Sequence, residues 1–147
     1  MLKELLVNNK FIVSKYWDIK CIGFDRQRSK NIRNAKKRIK EKIRDGKPLI
    51  VLMVGFRRQT WLFDELYHLM SDNSTFKTYA VAAPFLKSGQ AEMNQYMDEL
   101  CDLFEQKGYM YFKGYDKKSK YIDIRKIIEP DVVFFSTNYD PHTHEFF

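Results

Sequence analysis

Residues 49–54 read Leu49-Ile50-Val51-Leu52-Met53-Val54, six apolar side chains without a polar interruption. A strand that buries one face alternates apolar and polar residues. An unbroken run of this length predicts a strand covered on both faces, as in the middle of a parallel sheet. Asp45, Gly46 and Pro48 punctuate the chain before the run, and Gly55 closes it. Thr60 is then positioned to cap a helix, with Asp64 and Glu65 near its positive end. Leu62, Leu66 and Leu69 form its apolar stripe, widened by Phe63, Tyr67 and Met70.

The alternation continues downstream. Residues 78–83 (TYAVAA) predict a second strand, closed by Pro84. Met93, Met97, Leu100 and Phe104, widened by Tyr96 and Leu103, predict a long helix ended by Gly108. Residues 109–112 predict a third strand, 122–128 a short helix stopped by Pro130, and 132–135 (VVFF) a fourth strand. Strands alternating with helices define an α/β fold. With right-handed crossovers this is a Rossmann-like parallel sheet with helices on both faces and strand order 3-2-1-4.

Upstream lies a segment of different character. Residues 1–47 contain 15 Lys and Arg against 5 Asp and Glu, so they carry +10. The remainder has 11 basic and 14 acidic residues and carries −3, so the whole-chain +7 averages two unlike parts. The expected organisation is a basic arm, residues 1–47, and a Rossmann-like domain, residues 48–147. Ile32, Ala35, Ile39 and Ile43 fall at helical spacing within residues 27–44, among Lys and Arg, so the arm contains an amphipathic helix. Phe11, Ile12, Val13, Tyr16 and Trp17 fit either a short strand or a helix. Three uses of this arm are open. It packs on the body, lies on an anionic membrane, or binds nucleic-acid phosphates. Arg33, Lys36, Lys37, Lys40 and Arg44 are the candidate contacts to a membrane or polyanion. No helix-turn-helix, ribonucleoprotein or zinc-finger pattern supports the nucleic-acid use.

The composition excludes other classes. With 147 residues and 44% apolar content the chain is neither disordered nor low in complexity. No stretch approaches the length of a membrane span, and residues 1–7 are not a secretory signal. Cys21 and Cys101 are too few for a disulfide framework or zinc motif. They read as reduced thiols, which places the protein in the cytoplasm.

In a sheet of this order, ligands bind outside the carboxyl ends of the strands where the order reverses. The candidate ligand-binding residues there are Gly55, Phe56, Arg57, Arg58 and Gln59 after the first strand, with Trp61. After the fourth strand the chain delivers Ser136 and Thr137, then the candidates Asn138, Tyr139 and His142. Gly55 allows a close approach. A helix beginning at Thr60 would offer free N–H groups to an anion beside two arginines. The alternatives are that Arg57 and Arg58 are solvated and that Trp61 is core. No G-x-G-x-x-G and no G-K-[ST] is present. His142 and His144 flank Thr143 in a Pro-containing tail. Surface histidines are the commoner outcome of such spacing, and no metal is assigned. No nucleophile–base pair emerges, so no catalytic residue is assigned.

The segments KPLIVLMVGFRRQTWLFDELYHLM, FKTYAVAAPF, MNQYMDELCDLFEQKGYMYFKGYD and IIEPDVVFFSTNYD resemble successive pieces of the N-terminal domain of CDP-glycerol glycerophosphotransferases. These are teichoic-acid polymerase relatives with the two-domain GT-B glycosyltransferase architecture. Trp61, the Leu66-Tyr67 pair, Gly108-Tyr109, Gly114-Tyr115-Asp116 and Pro130-Asp131 carry the likeness. The family's Pro-Tyr-Asp turn is here Tyr139-Asp140-Pro141. The resemblance implies a transferase of cell-envelope polymer synthesis. This chain would be the incomplete, acceptor-side front part, inactive alone. A cytidine-nucleotide donor would bind a C-terminal half, and this part would need no cofactor. The implied partners are that C-terminal domain and a lipid-linked acceptor at the inner face of the cytoplasmic membrane. The edge of the fourth strand is expected to pair with a second copy or the N-terminal segment. The competing reading is a non-catalytic α/β binding or regulatory module whose arm contacts nucleic acid or a protein.

Overall fold

The computed structural model describes residues 10–116 and 120–137, with side chains from residue 26 onward except those of Lys120 and Arg125. The chain divides into two units, Met1–Glu41 and Lys42–Phe147, so the boundary falls a few residues before position 47. The first unit is occupied by helix α1, Lys10–Arg44, whose last turn belongs to the second. The helix therefore includes Phe11 to Trp17, the segment for which a strand was the alternative. Gly46, at φ 65°, turns the chain out of it, a left-handed conformation that glycine adopts without a Cβ penalty.

The second unit is α/β. Strands β1 (Leu49–Gly55), β2 (Phe76–Ala82), β3 (Tyr111–Lys113) and β6 (Val132–Phe135) form a parallel sheet in the order β3-β2-β1-β6. The fourth strand of the sheet thus lies beside the first, as the sequence predicts. Between β3 and β6 a small antiparallel pair, β4 (Tyr115–Asp116) and β5 (Lys120–Tyr121), was not foreseen. The outer edge of β6 has no strand beside it among the described residues.

Crossover handedness distributes the helices. The connections from β1 to β2 and from β2 to β3 move in one direction across the sheet. Right-handed crossovers therefore place α2 (Asp64–Ser71) and α3 (Gln90–Gln106) on one face. The return from β3 to β6 moves the other way and puts α4 (Ile124–Ile128) on the opposite face. The core has two layers accordingly. Val51 and Met53 meet Tyr67, Met97, Leu100 and Phe104 on the α2–α3 side. Leu52, Val54, Phe56 and Val81 meet Ile124 on the other. The unbroken apolar run of β1 is needed because both of its faces are covered.

The first crossover departs from the predicted form. Thr60 does not cap a helix. Residues Arg58–Thr60 make a 3₁₀ turn, and the Thr60 hydroxyl donates back to the Arg57 carbonyl at 3.2 Å. Helix α2 begins four residues later, at Asp64. The reason is Trp61, which must turn back beneath Gly55 to reach the core, where it is 7% exposed. The stripe of α2 is also rotated. Tyr67 is buried and Phe63, Leu66 and Met70 are half-buried, while Leu62 and Leu69 face solvent.

Asp64 locks this crossover. It accepts hydrogen bonds from Trp61 Nε1 (2.8 Å) and Tyr109 Oη (2.9 Å) and pairs with Lys107 Nζ (2.7 Å). Burial pushes its carboxyl up, but the bonds from Lys107, Tyr109 and Trp61 outweigh that and hold it below the ordinary 3.8. At the opposite end of the sheet Asp131, with no side-chain exposure, accepts from the Ile50 N–H at 2.9 Å and pairs with Lys42 at 2.5 Å. Tyr67 stacks on Tyr109, ring centroids 3.8 Å apart, and its hydroxyl accepts from the Met110 N–H at 2.8 Å.

Candidate functional site

The sheet order reverses between β1 and β6, and the two strands end together. Val54 is level with Phe135, and the Ser136 N–H donates to the Val54 carbonyl at 2.9 Å. Gly55 and the residues after it therefore emerge beside Ser136 and Thr137.

The sequence candidates separate sharply by position. A Cβ on Gly55 would stand 2.7 Å from Trp61 Cε3, so the close approach this glycine permits is that of the indole. The Trp61 ring lies against Phe63, Phe104 and Tyr109. Phe56 is buried in the opposite layer, edge-on to Phe85. Arg58 and Gln59 are exposed. The free helix N-terminus expected at Thr60 is absent from this place, and the first turn of α2 already carries Asp64 and Glu65. Asn138, Tyr139 and His142, with His144, lie outside the described residues.

Arg57 is the candidate that the fold positions. Its guanidinium lies over two aromatic rings, 4.3 Å from the Phe85 centroid and 4.4 Å from that of Tyr96. Both rings attract the cation through their negative quadrupoles. Its Nε is buried with no hydrogen-bond partner. Tyr96 in turn donates to Glu92, one turn back on α3. That bond comes first in holding the Glu92 carboxyl below its ordinary value, and the charge of Arg57 adds to it.

Beside the end of β1, Ser136 Oγ and Thr137 Oγ1 are also buried without partners. Three of the four such atoms among the described residues thus lie at the carboxyl ends of β1 and β6. Leaving a buried polar atom unsatisfied costs about 1–3 kcal/mol, so proteins rarely leave several together. Three donors of this kind suit an oxygen-rich anion that accepts from all of them. Phe85 and Tyr96 were not read as site residues. The available signal was Phe85's place just after Pro84, which delivers it to the same end of the sheet.

Other candidates have simpler settings. The Cys101 thiol is buried, which pushes its pKa up to about 11 and makes it a packing residue. Arg33, Lys36, Lys37, Lys40 and Arg44 are all exposed on α1, with Lys37 facing Glu41 at 3.8 Å. Among the described residues no helix is long and apolar enough to cross a membrane.

No protein-family model, curated protein or solved structure matches this chain.

Proposed function

We propose that the α/β unit binds a phosphate-bearing ligand at the carboxyl ends of β1 and β6. In this reading it serves as the acceptor-side domain of a glycerophosphotransferase-like or glycosyltransferase enzyme of cell-envelope polymer synthesis. The observation that carries the proposal is the group of unpartnered buried donors, Arg57 Nε, Ser136 Oγ and Thr137 Oγ1. A phosphate supplies several acceptor oxygens and a charge opposite to that of Arg57. The resemblance of residues 47–147 to CDP-glycerol glycerophosphotransferases supplies the reaction class. Under it the cytidine-nucleotide donor binds a separate C-terminal half, and transfer requires both.

The test is titration with glycerol 3-phosphate, followed by amide and Arg Nε–H resonances. Saturable shifts at Arg57, Ser136 and Thr137, lost in Arg57→Ala, are expected. Shifts confined to the exposed lysines of α1, or none, would overturn the reading.

The arm gives the proposal its location. Exposed Arg33, Lys36, Lys37, Lys40 and Arg44 suit the anionic inner face of the cytoplasmic membrane, where a lipid-linked acceptor resides. Co-sedimentation with anionic but not neutral vesicles is expected. Tight polynucleotide binding without vesicle binding would favour the non-catalytic module instead. The open edge of β6 is proposed to pair with a second copy, and a strictly monomeric mass in light scattering would remove that part.

A further inference from the structure

Helix α2 carries apolar side chains that the core does not use. Leu62 stands just before the helix and Leu69 near its end, 78% and 72% exposed, with half-buried Leu66 between them in the chain. Leu66 and Leu69, three residues apart, share one face of α2. Glu65 and Asp72 fall four residues before and three after Leu69, which puts both beside it on the helix surface, and both are exposed. Residues 62–72 hold three acidic residues and no Lys or Arg. The face is apolar with an acidic border.

Helix α1 has the complementary surface. From residue 26 to residue 41 none of its side chains is buried. Ile32, Ala35, Ile39 and Ile43 form its apolar stripe, and Ile32 and Ile43 are exposed. Most of what stabilises a helix in a protein is the packing of such a stripe. Lys36 falls four residues after Ile32 and three before Ile39, so it borders the stripe. Arg33, Lys37, Lys40 and Arg44 recur at spacings of four, three and four on the opposite face.

Charge selects the pairing. Residues 26–44 contain ten Lys and Arg against the single Glu41, so two copies of α1 laid side by side repel. Two copies of α2 would bring their Glu65 and Asp72 borders together. An α1 stripe against an α2 face joins apolar to apolar and sets Lys36 beside Glu65 and Asp72.

We infer that the Leu62, Leu66 and Leu69 face of α2 receives the Ile32–Ile43 stripe of α1 from a second copy of this chain. Each copy has one face and one stripe, so two such contacts close a two-fold dimer. The basic ridge of Arg33, Lys37, Lys40 and Arg44 points away from the contact, where it can meet an anionic surface. The inference does not rest on the phosphate site at the β1–β6 ends.

The experiment is sedimentation equilibrium of the full chain over a range of concentrations. A dimer is expected. Glu65→Lys and Lys36→Glu should each weaken it about tenfold. Mixing these two variants should restore it, because in the mixed dimer each changed residue meets the opposite charge on the other copy. Leu69→Lys should weaken it at least about tenfold. Each substitution alters an exposed side chain, so far-UV circular dichroism should stay that of the parent. A monomeric parent would overturn the inference. So would a dimer that Leu69→Lys leaves unchanged, as pairing through the β6 edge would, or no recovery on mixing.

Discussion

Substituting Gly55 by Ala tests the interlock at the head of the candidate site. The new methyl would stand 2.7 Å from Trp61 Cε3 and 3.0 Å from Leu100 Cδ2. The indole has little room to retreat. Its Nε1 is held by Asp64 at 2.8 Å, and its ring lies against Phe104 with centroids 4.6 Å apart. Overpacking at such a site costs about 2 kcal/mol. Alanine recovers about 0.5 kcal/mol through the lower entropy of its unfolded chain. The clash wins, leaving a net loss of about 1.5 kcal/mol. At about 4 °C per kcal/mol for a domain of this size, the melting temperature should fall by about 6 °C. Urea unfolding followed by circular dichroism and by Trp fluorescence measures the loss. Pairing the change with Trp61→Phe, which removes the offending ring atoms, should show a coupling of at least about 0.5 kcal/mol in the double-mutant cycle. An additive cycle, or a Gly55→Ala protein as stable as the parent, would refute the reasoning.

Three further outcomes are expected. Asp64→Asn should destabilise the protein near neutral pH. Because the folded carboxyl lies below 3.8, its contribution is full above that value and is lost as pH falls through the depressed one. The gap between parent and variant in pH-dependent melting should therefore close on acidification. It should be modest in size, since the side chain is 43% exposed. Asp131→Ala removes the acceptor of the Ile50 N–H and the partner of Lys42, and should cost about 2 kcal/mol in urea unfolding. Cys101 should resist iodoacetamide at about pH 8 in the native protein and react once unfolded, as read by peptide mass spectrometry, because its thiol lies near 11.

The sheet was legible because its evidence is continuous. Residues 49–54 and 132–135 are apolar throughout, and the strand order of a Rossmann-like half sets them side by side. Helix α3 was legible for the same reason, since Met93, Met97, Leu100 and Phe104 are all buried where their period puts them. The start of α2 was not. Thr60 is a good cap by type, but a cap competes with where the next side chain must go, and the burial of Trp61 outweighed it. Leu62 and Leu69 misled for a related reason, because the stripe was phased from a helix starting too early. The pair β4–β5 has two residues per strand, too short for any periodicity. At the site, Arg57 was visible as a charge after a strand. Its aromatic neighbours were not, because Phe85 and Tyr96 come from elements 28 and 39 positions further along the chain. Asn138, Tyr139 and His142 remain readings of the sequence alone.

The hydroxyl of Tyr67 does something a side chain seldom does in a sheet. It takes the Met110 amide that would otherwise begin the ladder of β3, and it does so from α2, 43 residues earlier in the chain. The Met110 carbonyl accepts from the Ala80 N–H of β2 at 2.9 Å, so the ladder itself forms without α2, but the amide at its head is satisfied only once α2 has docked. Hydrogen exchange of the Met110 amide would then report the opening of α2, an element to which that residue does not belong.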